Sequence, residues 1–478
     1  MTLPEILARS RAAQPAWAAS AIERRCELVR ALGQRLADDA DSAVAALRRD
    51  LRKPTIDALS GDLFVPLEAM RYFAKRAPKV LRPRKIGVSS PFLFRSRYRQ
   101  TFAPYGCVLI LAPFNYPIQL TLIPAVCALL AGNSVIIKGS EWTPETNTFL
   151  RRLFESAGFP EGLVQFVVGD AAVGRELCRM SFDKIFVTGG SETGRSVSRS
   201  AAERLVPVDL ELGGKDVLVV GEDAPLTKAA KAACFSAFLN SGQVCIGTKR
   251  ILVHSSRRDE FLSRLRSEVA SVRLGESGEE EMGPLVRAAE IARVKEILDD
   301  AVAKGATLET PWIERGNLLG PLVVSGNFRG ERILNEEVFA PLLCVDSFSS
   351  DDELIEKANG TPFGLQAAIL SKDLAWAERI AERLCVGVVS INEVVVPIGN
   401  PAAPFGGEKL SGHGRSRGDE GILSFCRRKT ISRRPSSEGR ERHFFPYSTN
   451  DARSLRRIIS FLYGGGSLWS RARRLLRS

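Results

Sequence analysis

Apolar positions divide the chain into a helical opening and a long alternation of short strands and helices. Between Arg24 and Leu51, Leu28, Leu32, Leu36 and Val44 recur near helical spacing in a segment rich in Ala, Leu, Arg and Asp, so residues 1 to about 80 are predicted to be helical. Pro78, Pro83 and Pro91 then punctuate a basic linker, and the alternation over 92–102 predicts a hairpin arm. The stretch from Val108 to Lys138 is the most apolar, but Pro113, Asn115, Pro117, Pro124 and Asn133 interrupt it. That pattern predicts strand, turn, helix and strand, not a membrane span. Thr143-Pro144-Glu145 opens a helix over 144–157, with Thr143 as its cap, and Gly158 ends it. Strands are expected at 163–168 and 184–188, and a second series at 217–220, 249–253 and 386–391. Short apolar strands alternating with helices imply parallel sheets covered on both faces, hence an α/β protein of two doubly wound lobes joined near residue 210.

A chain of 478 residues is too long for one simple core, and 45% hydrophobic with 26% charged residues reads as an ordinary soluble globular protein. Its nine cysteines (26, 107, 127, 178, 234, 245, 344, 385, 426) are odd in number and widely spaced, and the three histidines (254, 413, 443) are scattered. With no Cys-x-x-Cys pair, the pattern argues against a zinc site or a disulfide framework and for a reducing, cytoplasmic compartment. The N-terminus lacks a basic segment followed by an apolar block, so no secretory signal is expected. The net charge of +12 is concentrated: residues 431–478 contribute +8 and the remainder only +4.

The chemistry centres on Cys245, in Asn240-Ser-Gly-Gln-Val-Cys245-Ile-Gly, which follows by 34 residues the glutamate of Leu210-Glu211-Leu212-Gly213-Gly214. A thiol nucleophile and a carboxylate base are what a thioester-forming hydrolytic enzyme needs, and small neighbours such as Ser241, Gly242 and Gly247 let a substrate approach the sulfur. Other motifs occur in a definite order: Pro113-Phe-Asn115-Tyr-Pro117, Lys138-Gly-Ser-Glu141, Thr188-Gly-Gly190-Ser-Glu-Thr-Gly194, Glu336-Glu-Val-Phe339-Ala-Pro341, and Pro404-Phe-Gly-Gly407 with Ser411-Gly-His-Gly-Arg415. This ordered set resembles the aldehyde dehydrogenase superfamily, from the N-terminus to about Thr430. The N-terminal part is closer to its shorter branch of fatty and aromatic aldehyde enzymes, and Pro404 to Arg415 to the longer one.

The resemblance implies oxidation of an aldehyde by a nicotinamide cofactor, with Cys245 as nucleophile, Glu211 as base and Asn115, with the Cys245 N–H, as the oxyanion donors. It implies cofactor contacts from Lys138, Glu141, Gly189, Gly190, Gly194, Leu212, Glu337 and Phe339, and no metal. A carboxylate at Glu141 repels a 2′-phosphate and favours NAD, with NADP the alternative. Three residues depart from the family pattern: Gly139 for a proline, Gly190 for a serine and Ala340 for a glycine. They bear on cofactor affinity and leave the reaction class untouched.

The implied fold is two Rossmann-like lobes with a small oligomerisation arm. Residues 1–85, 103–209 and 405–430 form the cofactor lobe, 210–404 the catalytic lobe, and 86–102 with 431–450 an arm for a homodimer or homotetramer. Residues 451–478 form a basic tail of two short amphipathic pieces about Gly464-Gly-Gly466, whose arginines, leucines and Trp469 suit an anionic membrane surface on the cytoplasmic side. Packing on a neighbouring subunit and a solvated tail are its other readings; beyond charge, nothing supports nucleic-acid binding. The substrate expected is a hydrophobic aldehyde: long-chain, isoprenoid or aromatic. Two rivals stand beside this reading. One is a CoA-acylating dehydrogenase, against which Glu211 argues; the other is a non-catalytic scaffold that keeps the fold.

Overall fold

The computed structural model describes residues 1–90, 93, 95–436, 444–467, 469 and 471. The chain forms two compact units, Met1–Pro83 with Thr101–Lys429, and Arg84–Gln100 with Thr430–Ser478.

The first unit opens with the expected helices. Ile22–Asp38 buries Cys26, Val29, Leu32 and Leu36, a stripe at helical spacing that packs with Met70, Phe73 and Ala77 of the helix Val65–Val80. These helices share a core with the helix Pro117–Leu130 and with one face of a six-stranded sheet ordered Gly412–His413, Val208–Glu211, Lys184–Thr188, Cys107–Leu111, Ser134–Lys138, Val164–Val167. Its five longer strands are parallel, and Gly412–His413 is an antiparallel edge. Cys107–Leu111 and Ser134–Lys138 are buried throughout, as strands covered on both faces must be. A seven-stranded sheet follows in the order Thr307–Leu308, Leu322–Ser325, Leu342–Phe348, Arg250–His254, Val217–Val220, Gln366–Leu370, Val388–Ile391, parallel except at Thr307–Leu308. The architecture is α/β with doubly wound, Rossmann-like sheets.

Parallel pairing decides where chemistry collects. Leu111 is opposite Lys138 and Thr188 is opposite Glu211, so four strands release their chains from one edge of the sheet. In open α/β sheets that carboxyl edge is where ligands bind.

One local expectation is corrected. Thr143 does occupy the N-cap position of the helix Pro144–Ser156, yet its side chain caps nothing; its hydroxyl donates to the Ser140 carbonyl at 3.2 Å. The free N–H groups of Glu145 and Thr146 instead donate to the two oxygens of Asp50, at 3.1 and 2.8 Å, from the end of the helix Ala40–Leu51. A distant carboxylate is the better cap because it also meets the positive end of the helix dipole.

In the second unit, Arg84–Ile86 pairs antiparallel with Arg97–Pro104, Arg84 facing Gln100, and Cys426–Arg433 completes a three-stranded sheet. The helix Thr449–Tyr463 begins with a reciprocal Ser448–Asp451 capping box and buries no side chain. Parts of the expected arm (91, 92, 94 and 437–443) lie outside the described residues, as does the second basic piece of the tail except Trp469 and Arg471. Among the described residues, no helix is long and apolar enough to cross a membrane.

Replacing Asp50 with Ala should cost about 1–2 kcal/mol of stability, because two helix N–H groups lose their acceptor. Urea unfolding of Asp50→Ala beside the wild type checks this, and coincident midpoints would contradict the capping assignment.

Candidate active site

The loop after Leu111 carries Asn115, and a buried ion pair fixes it. Lys53 Nζ lies 2.5 Å from Asp62 Oδ2 with both side chains fully buried, and it also donates to the Asn115 carbonyl at 2.5 Å. Asp62 Oδ1 accepts from the N–H groups of Ile118, at 3.0 Å, and Gln119, at 3.3 Å, in the first turn of the helix Pro117–Leu130. Every charge of the pair is thus satisfied, as burial requires. The Asn115 side-chain amide donates to the Gln243 carbonyl at 3.1 Å, which ties this loop to the segment leading to Cys245.

That segment is strained. Asn240, Ser241 and Gly242 have φ of 49, 57 and 72°, three successive residues in left-handed backbone where only glycine is at ease. Asn240 is held there by its N–H on Asp57 at 3.0 Å and by its amide on the Asn115 carbonyl at 3.2 Å. Gly242 is required because a Cβ would strike the Ala340 carbonyl. The turn delivers Cys245 half-buried to the junction of two cavities.

The first cavity, of about 260 Å³, is apolar, its walls including Phe64, Tyr116, Leu120, Ile123, Leu239 and Phe405. The second, of about 550 Å³, is polar, and Asn115, Lys138, Glu141, Gly189, Glu337 and Phe339 line it. Glu211 and Cys245 belong to both. Gly190 and Leu212 also line the polar cavity. Gly194 does not: a Cβ there would meet Leu212 at 2.6 Å, so this glycine serves the packing of the helix Ser191–Ala202.

Burial shifts the ionisable groups toward their neutral forms. It raises Glu211 to about 8, with Asp209 adding to the rise and a hydrogen bond from Ser416 opposing it. It pushes the Cys245 thiol up to about 12, reinforced by Asp216, Glu211 and Glu337, and it raises Glu337 to about 7. Lys249, brought down to about 7 by burial and by Lys215, donates to the Gly242 carbonyl at 2.5 Å and supports the strained turn. Among the described residues, the buried Glu211 Oε2 has no hydrogen-bond partner.

The polar cavity fits a dinucleotide. Lys138 Nζ and Glu141 Oε2 are 3.0 Å apart, a donor and an acceptor side by side for ribose hydroxyls. Gly190 stands at the N-cap of Ser191–Ala202 with open space around it and no side chain on the helix N–H groups, as a pyrophosphate would need. Glu337 packs so closely on Gly213 that a Cβ would collide with its carboxylate. Gly139 also has a local reason, since a Cβ there would overlap the Asn147 amide, which donates to the Ser140 carbonyl at 2.8 Å.

With this geometry established, a family model described as the aldehyde dehydrogenase family matches residues 2–431. The chain belongs to that family. It is 38% identical to a 4,4'-diapolycopene aldehyde oxidase of Methylomonas sp over 98% of this chain and 88% of that protein. A probable coniferyl aldehyde dehydrogenase of Pseudomonas aeruginosa is 31% identical over 96% of both chains. A crystal structure of a betaine aldehyde dehydrogenase point mutant from Staphylococcus aureus, in complex with NAD+ and with a BME-modified cysteine, superposes with TM-score 0.85 at 31% identity, over 91% of this chain and 90% of that one.

Several residues of this site escaped the sequence reading. Lys53, Asp62, Lys249 and Arg417 are polar residues in unremarked positions, and only the fold shows that they are buried around the loops bearing Asn115 and Cys245.

Lys53→Met leaves the buried Asp62 without its partner, and should destabilise the protein by about 3–5 kcal/mol. Adding Asp62→Asn keeps an acceptor for Ile118 and Gln119 and should recover part of that loss. Chemical denaturation of both variants checks the pair; a single variant as stable as wild type would contradict it.

Proposed function

We propose that the protein oxidises a hydrophobic aldehyde, long-chain or isoprenoid, to its carboxylic acid, with NAD as the cofactor. The observation that carries this reading is the position of Cys245 at the meeting point of an apolar and a polar cavity. The apolar one suits a hydrocarbon chain, and the polar one has the donors and acceptors of a dinucleotide site. The relative named for diapolycopene aldehyde supports an isoprenoid substrate.

The Cys245 sulfur attacks the aldehyde carbon and its proton passes to a base as the bond forms. Asn115, with the Cys245 N–H, donates to the oxygen as it gains charge; loss of such a donor typically lowers turnover by about 10²–10³. NAD supplies a hydride acceptor when bound. Cys245 then holds the acyl group as a thioester until Glu211 draws a proton from water, whose oxygen adds to the carbonyl and displaces the sulfur. A carboxyl held at about 8 is mostly protonated at neutral pH and becomes a base as pH rises. Hydrolysis should therefore climb with pH to a plateau above about 8, and Glu211→Gln should remove that limb. Single-turnover rates of acid release across pH check this; a limb that survives in Glu211→Gln would contradict the role. Release of free acid without CoA separates this reaction from an acyl transfer to a thiol.

The tail is read as a membrane-surface element. In Thr449–Tyr463, Leu455, Ile458, Ile459 and Leu462 share one face, Leu455 and Ile459 are half exposed, and Arg453, Arg456 and Arg457 supply the charge. The strands of the second unit are read as the arm that pairs subunits. Flotation with anionic liposomes should carry the full-length chain and leave behind a chain ending at Thr430; equal behaviour would end the membrane reading. A panel of short, aromatic and long-chain aldehydes, followed by absorbance of the reduced cofactor with NAD and NADP, tests the substrate class. The account expects the highest kcat/KM on long chains with NAD.

A further inference from the structure

The roles assigned above leave one buried group of the apolar cavity unused. Arg417 is 3% exposed and lines that cavity together with Glu211 and Cys245. Among the described residues it is the only cationic side chain in the lining. One edge of its guanidinium is anchored: with its amide nitrogen on the Gly61 carbonyl at 2.7 Å, Gln119 presents its oxygen to Arg417 Nη2 at 3.0 Å. The other edge is not, because Nη1 is buried without a hydrogen-bond partner among the described residues.

The backbone makes this placement expensive. Arg417 has φ 65° and ψ −178°, a combination that only glycine adopts without strain. A buried cation with an unused N–H adds a second cost. The nearest obvious remedy is not taken: Glu211 Oε2 is likewise buried and unpartnered, yet no ion pair joins the two among the described residues. Glu211 and Arg417, each carrying a buried polar atom without a partner among the described residues, thus line the same cavity as Cys245, where an acyl group must be cut free.

The acid released there is an anion in an apolar chamber, beside the Glu211 carboxyl, which is mostly protonated at neutral pH. A planar guanidinium with a free edge is the group best shaped to receive it, through charge-assisted hydrogen bonds. We propose that Arg417 is a carboxylate-binding residue that holds the acid product in the apolar cavity after the thioester is opened. This rests on the reading of Cys245 and Glu211 given above and adds a determinant of product affinity to it.

The test is equilibrium binding of hexanoic, decanoic and hexadecanoic acids, and of their primary amides, to the full-length protein at pH 7.5. Wild type should bind each acid about tenfold or more tighter than its amide, the margin expected of hydrogen bonds to a charged group. Arg417→Gly, which suits the backbone at this position, and Arg417→Met, which keeps bulk without charge, should bring that ratio to about one. Arg417→Lys should restore part of it. An unchanged ratio in R417G and R417M would overturn the proposal, as would a wild type that does not distinguish acid from amide. If the ratio collapses but affinity does not grow with chain length, Arg417 keeps its role and the hydrophobic substrate class fails instead.

Discussion

Cys245 stands where an apolar cavity and a polar one meet, so the ionisable groups around it are withdrawn from water together. Carboxyls rise, lysines fall and the thiol stays protonated, each for want of solvent to support its charge. On the proposed mechanism, thiolate character at Cys245 develops as the carbonyl is attacked, when fixed donors receive the displaced charge. The same dryness suits Glu211, in its proposed role as base, to mildly alkaline solution and gives any fixed donor more influence than it would have in water.

Holding such groups in place takes a frame that is itself polar and buried. Lys53 and Asp62 brace the Asn115 loop, Asp57 and Asn115 brace Asn240, and Lys249 braces Gly242. Three successive left-handed residues ahead of Cys245 are sustained by those bonds. Strain of this kind persists only where the surroundings over-determine it, and it gathers at functional sites. Arg417 repeats the pattern in the lining of the apolar cavity, with a cation where the chain would more cheaply have placed glycine.

The sequence made much of this legible, for reasons that can be named. Val217–Val220 and Lys184–Thr188 begin and end as read, because uninterrupted apolar runs between turn residues have few other fates. Leu322–Ser325, Leu342–Phe348 and Gln366–Leu370 are strands that the pattern does not mark, because their short apolar runs give helix and strand similar claims until neighbours choose. Asn115, Glu211 and Cys245 were named from ordered motifs. Lys53, Asp62 and Lys249 were not, since a charged residue carries no local sign that the fold will bury it. Thr143 shows the converse: its N-cap place was legible, but the side chain that does the capping is Asp50, far away in sequence.

The central claim is that the acyl group passes through the Cys245 sulfur and that Glu211 frees it. The most direct measurement is mass spectrometry of Glu211→Gln quenched in acid after mixing with NAD and a long-chain aldehyde. The account predicts a stable acyl increment on the peptide carrying Cys245, absent when NAD is omitted. Reduced cofactor accumulating with Cys245 unmodified, or an adduct on another cysteine, would contradict it.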